Sequence, residues 1–357
     1  MLAYGRMLAV GENACRALVW ANYASPGVIM KILVLNESEM KTIMCMKDAI
    51  LAVKEAASNY SAGKTDIPLR ANLNVKEYNG NSLYMYGYVP GSKALGVKLV
   101  SVYPDNPKKG VSACPATVIL ENAETGEVNA IMDGTYLTRL RTGALSGAAT
   151  DILARKDAKI FALIGTGGQA ECQLEAVLTV RDIDEVRVYS RSMNNVNKFI
   201  EKVSKGRSQK FIACKIGDEA IENADIITAV TVSLDPVFDG KKAKKGCHIN
   251  AVGSYTPEMS EIDEYIVCNA KKIIVDTFDG TINETGDFLK PLNKGLFKKE
   301  MITGELGDLV DGRCKGREND DEISLFETTG SAVFDLVTGQ KIYELAIKKN
   351  IGQIIEL

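Results

Sequence analysis

Apolar and polar positions alternate in two different ways along this chain, and the change falls near residue 142. From residue 30 to about 140, a helical pattern in MKDAILAVKEAASNYSAG precedes the strand patterns SLYMYGYV and ALGVKLVSVY. A hairpin, ATVILENAETGEVNAIMDG, follows and turns at Thr125-Gly126. From about 142 to 325, short apolar strands alternate with helices, as in KIFALIG, EVRVYS, KFIACKI, DIITAVTV, HINAVG and KKIIVDT. This alternation predicts parallel strands with crossover helices in a doubly wound sheet.

Together the two patterns predict an α/β protein, with a doubly wound parallel sheet inserted in an α+β domain. The last amphipathic helix, SAVFDLVTGQKIYELAIKKN, is predicted to pack back on the first domain. Residues 30–141 and 331–357 then form one domain, and residues 142–330 form the inserted one. Residues 1–29 have no clear period, so we interpret them as an N-terminal extension or the product of an early start codon.

Composition and charge exclude several classes of function. The chain has 46% hydrophobic residues, 25% charged residues and a formal net charge of -3 without a broad basic face, which argues against a nucleic-acid partner. No apolar run approaches the roughly 20 residues of a membrane helix, so we expect no membrane partner and a cytoplasmic location. The eight cysteines are scattered and His248 is the single histidine, so we expect neither a metal site nor a Ser-His-Asp triad. Any chemistry therefore depends on carboxylates, lysines, arginines and a cofactor.

A glycine-rich turn gives the first candidate site. The stretch IGTGGQAECQ places Gly165, Gly167 and Ala170 at G-x-G-x-x-A spacing, after the apolar strand KIFAL and at the start of a helix. Glycines here allow a tight turn and the close approach of a pyrophosphate to backbone N–H groups at the helix start. We predict a dinucleotide site; the alternatives are a purely structural turn, and a methyltransferase, which leaves the cations described below unexplained.

The end of the next strand bears on the choice of dinucleotide. An NAD site usually carries an acid here for the ribose hydroxyls, whereas this chain has Ser190, Arg191 and Ser192 in VYSRS. A cation with hydroxyl groups favours a 2′-phosphate, so we predict NADP(H) as the preferred cofactor. NAD(H) remains the alternative if Arg191 is only a solvated loop residue.

Three cationic residues occupy positions that are unusual for exposed charges. Lys98 shares a strand face with Val100 and Val102. Arg70 precedes a predicted strand in DIPLRANL. Arg141 lies on a helical stripe that is otherwise apolar, and Arg139 lies off this stripe. The stripe consists of Leu137, Arg141, Ala144, Leu145, Ala148 and Ile152. Each residue alone is compatible with an edge strand or a snorkelling side chain. Together, beside a dinucleotide site, they predict a clamp for a carboxylate.

Five motifs in order now define a resemblance. The chain resembles the ornithine cyclodeaminase and mu-crystallin family, which includes archaeal-type alanine dehydrogenases and cyclic ketimine reductases. The resemblance rests on five segments: GVKLVSVYPDNP, TRLRTGA, IGTGGQA, INAVGSYTPEMSEID and ISLFETTGSAVFD. The resemblance runs from about Met30 to the C-terminus. It implies a homodimer, with the first domain serving substrate binding and dimerisation around an inserted Rossmann dinucleotide-binding domain. It also implies that Arg70, Lys98 and Arg141 hold the substrate carboxylate, that Thr329 lines the substrate pocket, and that further residues contact the dinucleotide: Thr117, Gly168, Gln169, Thr231, Val252, Gly253 and Thr328.

Two departures from the family pattern narrow the expected reaction. Ornithine cyclodeaminases carry an aspartate where this chain has Tyr255, and a glutamate near the position of Leu83. Without these acids the chain is more similar to the imine reductases of the family. A δ-ammonium group bound near Leu83 would be stranded without an opposite charge.

We therefore expect an NAD(P)H-dependent oxidoreductase that reduces the C=N bond of a small 2-imino or cyclic ketimine carboxylate. Lys98, Arg141 and Tyr255 are the expected catalytic residues, and the proton donor is Lys98, Tyr255 or a bound water. The alternatives are an ornithine cyclodeaminase that uses NAD catalytically, an alanine dehydrogenase-like amino-acid dehydrogenase, and a non-enzymatic NADPH-binding protein like mu-crystallin.

Overall fold

The computed structural model describes residues 29–357, so the segment 1–29 lies outside the described residues except for Ile29. Two sheets organise the chain, and buried apolar side chains form one core on the first sheet and one on each face of the second. Within this part of the chain, no helix has the length and apolar character needed to cross a membrane.

The first sheet is mostly antiparallel and has the strand order β15-β1-β6-β5-β4-β3-β2. Its strands are β1 (Lys31–Leu35), β2 (Ala71–Val75), β3 (Gly80–Val89), β4 (Ala94–Val102), β5 (Ala116–Glu121), β6 (Val128–Asp133) and β15 (Gln353–Glu356). Only β1 and β6 pair in parallel. The predicted hairpin is confirmed, because β5 and β6 pair antiparallel around a turn in which Gly126 has a φ of 77°.

Four helices pack on the inner face of this sheet. They are α1 (Glu37–Ile43), α2 (Met46–Ser61), α3 (Gly134–Leu153) and α11 (Ala332–Lys349). The long helix α3 has no proline between its ends and continues across position 142, so it belongs to both sequence regions. Its buried residues contact α2 on one side and the helix Ala170–Val180, which follows the glycine-rich turn, on the other.

The second sheet is entirely parallel, with the order β13-β12-β14-β11-β10-β7-β8-β9. Its strands are β7 (Ile160–Ile164), β8 (Glu185–Tyr189), β9 (Lys210–Ala213), β10 (Ile226–Ala229), β11 (His248–Ala251), β12 (Lys272–Val275), β13 (Gly304–Glu305) and β14 (Ser324–Glu327). The connecting helices are α4 (Ala170–Val180), α5 (Met193–Val203), α6 (Gly217–Ile221), α7 (Glu264–Asn269), α8 (Phe278–Glu284), α9 (Gly286–Asn293) and α10 (Leu306–Val310). The predicted doubly wound sheet, inserted in an α+β domain, is confirmed.

The strand order reverses between β7 and β10, and this reversal creates a crevice at the carboxyl ends of the two strands. In open parallel sheets of this kind, ligands bind at such a switch point. The glycine-rich turn follows β7 directly, and the chain that leaves β14 runs through a short loop into α11, which packs on the first sheet. The fold therefore brings the switch point and the predicted clamp to one region.

Candidate active site

The turn after β7 has the backbone geometry that a dinucleotide requires. Gly165 has a φ of 115°, and a Cβ atom there would lie 2.5 Å from the carbonyl oxygen of Val230, so only glycine fits. An added Cβ atom at Gly167 or Gly168 meets no atom within 4 Å, so open space lies above both residues. Ala170 is fully buried at the start of α4. The first backbone N–H groups of this helix can therefore approach a pyrophosphate closely.

The residues around the glycine-rich turn are also compatible with a bound dinucleotide. Gln169 precedes α4 without capping it, and its side-chain oxygen is buried without a hydrogen bond to any described residue. At the end of β8, Ser192 accepts the N–H of Asn195 and so caps α5 at 3.3 Å. Arg191 is exposed and makes no ion pair with another described residue. Its guanidinium is free to meet an anion beside Ser190.

The loops after β10 and β11 are joined by a buried acid. Glu261 is fully buried and accepts the backbone N–H groups of Thr231 and of Gly253, the latter at 2.5 Å. Burial and the nearby Asp287 raise the pKa of Glu261 to about 8, while the two N–H donors oppose this rise. Val252, which comes directly after β11, is 9% exposed. The carboxyl group of Glu261 thus fixes two segments that the sequence predicts at the dinucleotide.

A second acid holds the loop after β14. Asp276 accepts the hydroxyl of Thr328 at 2.5 Å and the N–H of Gly330 at 2.7 Å. The Thr328 hydroxyl therefore already has a partner within the protein. The Thr329 carbonyl accepts a hydrogen bond from Arg70 at 3.2 Å, so this loop reaches the first domain.

Lys98 and Arg141 share one buried carboxylate from the final helix. Lys98 is 1% exposed, and its Nζ donates to Oδ2 of Asp335 at 2.5 Å. The Nε of Arg141 donates to Oδ1 of the same residue at 2.9 Å. Burial lowers the pKa of Lys98 from 10.5 to about 7, with Arg141 and Arg70 acting in the same direction and Asp335 against it. The lysine therefore titrates near neutral pH.

Arg70 reaches the same place from the start of β2. It forms a two-pronged ion pair with Glu284, in which Nε lies 2.9 Å from Oε1, and Nη2 also lies 3.4 Å from the carbonyl oxygen of Gly330. A Cβ atom on Gly330 would lie 2.7 Å from Nη1 of Arg141. The two guanidinium groups therefore flank Gly330, and the structure brings the three predicted cations together.

A cleft opens beside this group. It is bordered by Arg70 and Glu284, by the loop around Gly330, and by Met85, which pairs with Lys98 across β3 and β4.

Tyr255 is half-buried in the loop after β11, where burial raises its pKa and the charge of Arg70 lowers it.

Thr117 does not join the clamp. It pairs with Leu99 on the outer face of the first sheet, whereas Lys98 and Val118 lie on the inner face. The role predicted for Thr117 at the dinucleotide stays a prediction. Leu83 is 9% exposed and lies within the apolar core of the first sheet, so no acid takes the place of the glutamate of cyclodeaminases there.

Comparison with known proteins identifies the family of this chain. The sequence model of the ornithine cyclodeaminase/mu-crystallin family matches residues 30–350. The chain belongs to this family. A Delta(1)-pyrroline-2-carboxylate reductase of Bacillus cereus is 38% identical over 325 residues, which cover 91% of this chain and 100% of that protein. An alanine dehydrogenase of Archaeoglobus fulgidus is 35% identical over 329 residues, covering 92% and 99%.

Two solved structures of the family share the fold. The Delta(1)-pyrroline-2-carboxylate reductase of Thermococcus litoralis, in complex with NADH and L-proline, has a TM-score of 0.87 and 39% identity and covers 90% of this chain and 99% of its own. An archaeal alanine dehydrogenase dimer with bound NAD has a TM-score of 0.85 and 35% identity, covering 91% and 99%. Both comparisons confirm the predicted family and the Rossmann-type fold.

Four acids of the candidate site were not predicted from the sequence: Glu261, Asp276, Glu284 and Asp335. Two of them had a detectable signal. Asp276 comes directly after the apolar strand KKIIV, and Asp335 lies on the buried side of α11 among Ala332, Leu336 and Gly339. An acid in such surroundings requires a partner, just as a buried lysine does. Glu284 ends a short helix, and nothing in its local sequence points to Arg70.

Proposed function

We propose that this protein reduces the C=N bond of a small 2-imino carboxylate, such as a pyrroline-2-carboxylate, with a nicotinamide dinucleotide. The observation that carries the proposal is that Arg70 and Arg141 flank Gly330, and that Lys98 is bonded to the same carboxylate as Arg141, Asp335. Gly330 follows β14 of the sheet that bears the glycine-rich turn. The reductases named above, one of them bound to NADH and L-proline, support the same chemistry.

The carboxylate of the substrate binds the free edges of the two arginines. Arg70 uses Nε and Nη2 within the protein and Arg141 uses Nε, so Nη1 of Arg70 and both terminal nitrogens of Arg141 have no hydrogen-bond partner among the described residues. These donors fit a carboxylate in fork geometry. The protonated Lys98 adds a third positive charge. Such a clamp fixes the orientation of the reacting carbon, which contributes much of the catalysis when the hydride donor is already reactive.

A bound nicotinamide supplies the hydride for the imine carbon, and the protein must supply a proton for the nitrogen. Glu284 is the acid that we assign to this step. In a 2-imino carboxylate the nitrogen lies next to the carboxylate, and Glu284 lies next to the arginine that holds this carboxylate. Burial already raises the pKa of Glu284, against the effect of Arg70. A substrate anion on Arg70 raises it further, so Glu284 takes a proton from solvent and passes it to the imine nitrogen.

The same site argues against a cyclodeaminase. Leu83 and Tyr255 stand where the family resemblance implies acids for the amino groups of ornithine. An alanine dehydrogenase reaction requires the same clamp, and the 35% identical alanine dehydrogenase makes it the second candidate. The two activities differ in the source of the imine: the reductase acts on a cyclic imine, whereas the dehydrogenase forms its imine from pyruvate and ammonia, with loss of water.

A substrate panel tests the proposal through the absorbance of NADH and NADPH. The panel consists of Δ1-pyrroline-2-carboxylate, Δ1-piperideine-2-carboxylate, pyruvate with ammonia, and ornithine. We expect oxidation with a cyclic imine. Arg141→Ala should abolish turnover while NADH affinity, followed by fluorescence, stays within about twofold, and Arg141→Lys should retain a small part of the turnover. Turnover unchanged in Arg141→Ala, or ammonia released from ornithine without net oxidation of the nucleotide, contradicts the proposal.

We also propose a preference for NADP(H). Arg191 supports it, because an exposed guanidinium at the end of β8 is free to pair with a 2′-phosphate beside Ser190. The solved relatives contain NADH or NAD, so the preference belongs to this chain's own loop. The ratio of the kcat/KM values for NADPH and NADH measures it, and a ratio below one contradicts it.

A homodimer is the assembly that we propose. The outer face of the first sheet carries apolar side chains that no other described element covers, and Tyr86 and Leu99 are 48% and 36% exposed there. The neighbouring outward positions are apolar as well: Tyr84, Val97, Ile119 and Ile131. Apolar patches of this kind mark interfaces, and the archaeal alanine dehydrogenase is a dimer. Light scattering should give twice the chain mass of 38.7 kDa; a single chain mass contradicts the proposal.

A further inference from the structure

Glu261 lies behind the dinucleotide crevice and touches none of the clamp residues. Its two carboxylate oxygens are divided between two segments, one accepting the N–H of Thr231 after β10 and the other the N–H of Gly253 after β11. The contact is close, because a Cβ atom on Gly253 would lie 2.5 Å from Oε2 of Glu261 and 2.0 Å from the carbonyl oxygen of Thr231. Any side chain at position 253 would therefore separate the loops.

The position of Glu261 is itself fixed. Asp287 is buried, and its Oδ1 accepts the N–H groups of Glu261 and Ile262, at 2.8 and 3.0 Å, and the hydroxyl of Ser260 at 2.8 Å. These bonds hold the chain on both sides of Glu261. The carboxylate of Glu261 therefore acts as a rigid bridge between the ends of β10 and β11.

The two bonds to Glu261 also orient the carbonyl groups of the same peptides. A trans peptide is planar, and its C=O points opposite to its N–H. The N–H of Thr231 belongs to the peptide whose carbonyl is that of Val230, and the N–H of Gly253 belongs to the peptide whose carbonyl is that of Val252. Both carbonyls therefore point away from Glu261. Neither accepts a hydrogen bond from another described residue.

One of these carbonyls is known to face the dinucleotide turn. The Val230 oxygen would lie 2.5 Å from a Cβ atom on Gly165, the first glycine of the turn. Val252 lies on the adjacent parallel strand, level with Val230, because its N–H bonds to the carbonyl of Ala229. Two free acceptors thus stand side by side at the switch point, where an amide NH2 group can donate to both.

We propose that Glu261 is a positioning residue that aims the Val230 and Val252 carbonyls at the carboxamide group of the nicotinamide. The inference rests on the proposed nicotinamide dependence. It goes beyond that function by assigning the orientation of the reactive ring to an acid that contacts neither cofactor nor substrate.

Glu261→Gln tests this role, because the side chain keeps its size but presents an NH2 group to one of the two N–H donors. Affinities for NADH and for ADP-ribose, which lacks the nicotinamide, are measured by calorimetry. We expect NADH affinity to fall about tenfold or more and ADP-ribose affinity to stay within about twofold. Asp263→Asn is the matched control, since Asp263 also accepts two backbone N–H groups, from Gly240 and Ile266, outside the crevice. It should leave both affinities unchanged.

An equal loss for both ligands in Glu261→Gln, or no loss for either, overturns the inference and leaves the proposed function in place. If the unmodified protein binds neither NADH nor ADP-ribose, both this inference and the proposed function are contradicted. The unmodified protein also gives an independent test with 3-acetylpyridine adenine dinucleotide, in which a methyl group replaces the NH2 group. This analogue should bind about tenfold more weakly than NAD, and equal affinities overturn the inference even if Glu261→Gln does not fold.

Discussion

Replacing Lys98 with methionine tests whether a titrating ammonium group holds the substrate carboxylate. Lys98 is 1% exposed, its Nζ lies 2.5 Å from Oδ2 of Asp335, and its pKa lies near 7 instead of 10.5. The side chain is therefore cationic below about pH 7 and becomes neutral as the pH rises above that value. Because only the cation attracts a carboxylate, ligand affinity must follow the same titration.

Pyrrole-2-carboxylate is a suitable probe, since its ring nitrogen carries no proton equilibrium near neutral pH. We expect its Kd to be constant below about pH 7 and to rise about tenfold per pH unit above it, which corresponds to about 1.4 kcal/mol per unit. In Lys98→Met the rise that the lysine causes should be lost, and any smaller pH dependence that remains reflects the proton that Glu284 takes up when the anion binds Arg70. A hydrogen bond to a charged group contributes about 1.5 to 3 kcal/mol, so Kd at about pH 6 should be tenfold or more higher than in the unmodified protein.

Calorimetric titration of pyrrole-2-carboxylate into the NADH-saturated protein, from about pH 6 to about pH 9, measures both effects without turnover. Lys98→Arg is the matched control, because arginine keeps its charge over this range and should remove the slope while preserving a cation. A constant Kd in the unmodified protein, or a slope as steep in Lys98→Met as in the unmodified protein, contradicts the assignment of this titration to Lys98.

The same pKa predicts an opposite trend in stability. Between about pH 7 and pH 10.5 the unfolded chain binds a proton at Lys98 that the folded chain has lost, so the free energy of unfolding rises with pH. The shift corresponds to about 5 kcal/mol across this window. Urea unfolding should show a smaller rise in Lys98→Met than in the unmodified protein. Ligand affinity thus falls while stability rises, a pair of trends that a single titrating lysine explains.

Two further predictions concern other residues of the site. Arg191→Asp should reverse the preference between NADPH and NADH in kcat/KM, because the carboxylate repels a 2′-phosphate and accepts ribose hydroxyls; an unchanged ratio removes the argument for the phosphate. Asp335→Asn should lower the free energy of unfolding by about 3 to 5 kcal/mol, since it leaves Lys98 and Arg141 buried without a counter-charge. Glu124→Gln, in the exposed ion pair with Lys93, should lower it by no more than about 1 kcal/mol. Similar losses in the two variants contradict the second prediction.

Local sequence was sufficient to predict that two of the three cations, Lys98 and Arg141, are buried. Lys98 stands on a strand face whose other positions are apolar, and Arg141 stands on an apolar helical stripe, so burial of each follows from periods of two and of about 3.6 residues. The neighbouring Arg139 lies off that stripe and instead pairs with Glu37 at 2.9 Å. A charge placed where the period predicts burial is thus a usable signal of a site.

The partners of these cations were not predictable in the same way. Asp335 is 237 residues from Lys98, and Glu284 is 214 residues from Arg70. Spacing along the chain states which side chains share a face, but it does not state which faces meet when an inserted domain separates them. The contacts of Glu261 were harder still to predict, because its partners are backbone N–H groups, which every residue except proline carries.

The missed acids change how the clamp works. With both carboxylates ionised, Asp335 and Glu284 offset two of the three cations, so the site has a net charge of +1 when Lys98 is protonated and none when it is neutral. Each arginine also keeps its outer N–H groups free while its Nε is held by an acid. In the proposed reaction, a monoanionic substrate therefore meets preoriented donors and one unmatched positive charge, and that charge is present only while Lys98 keeps its proton.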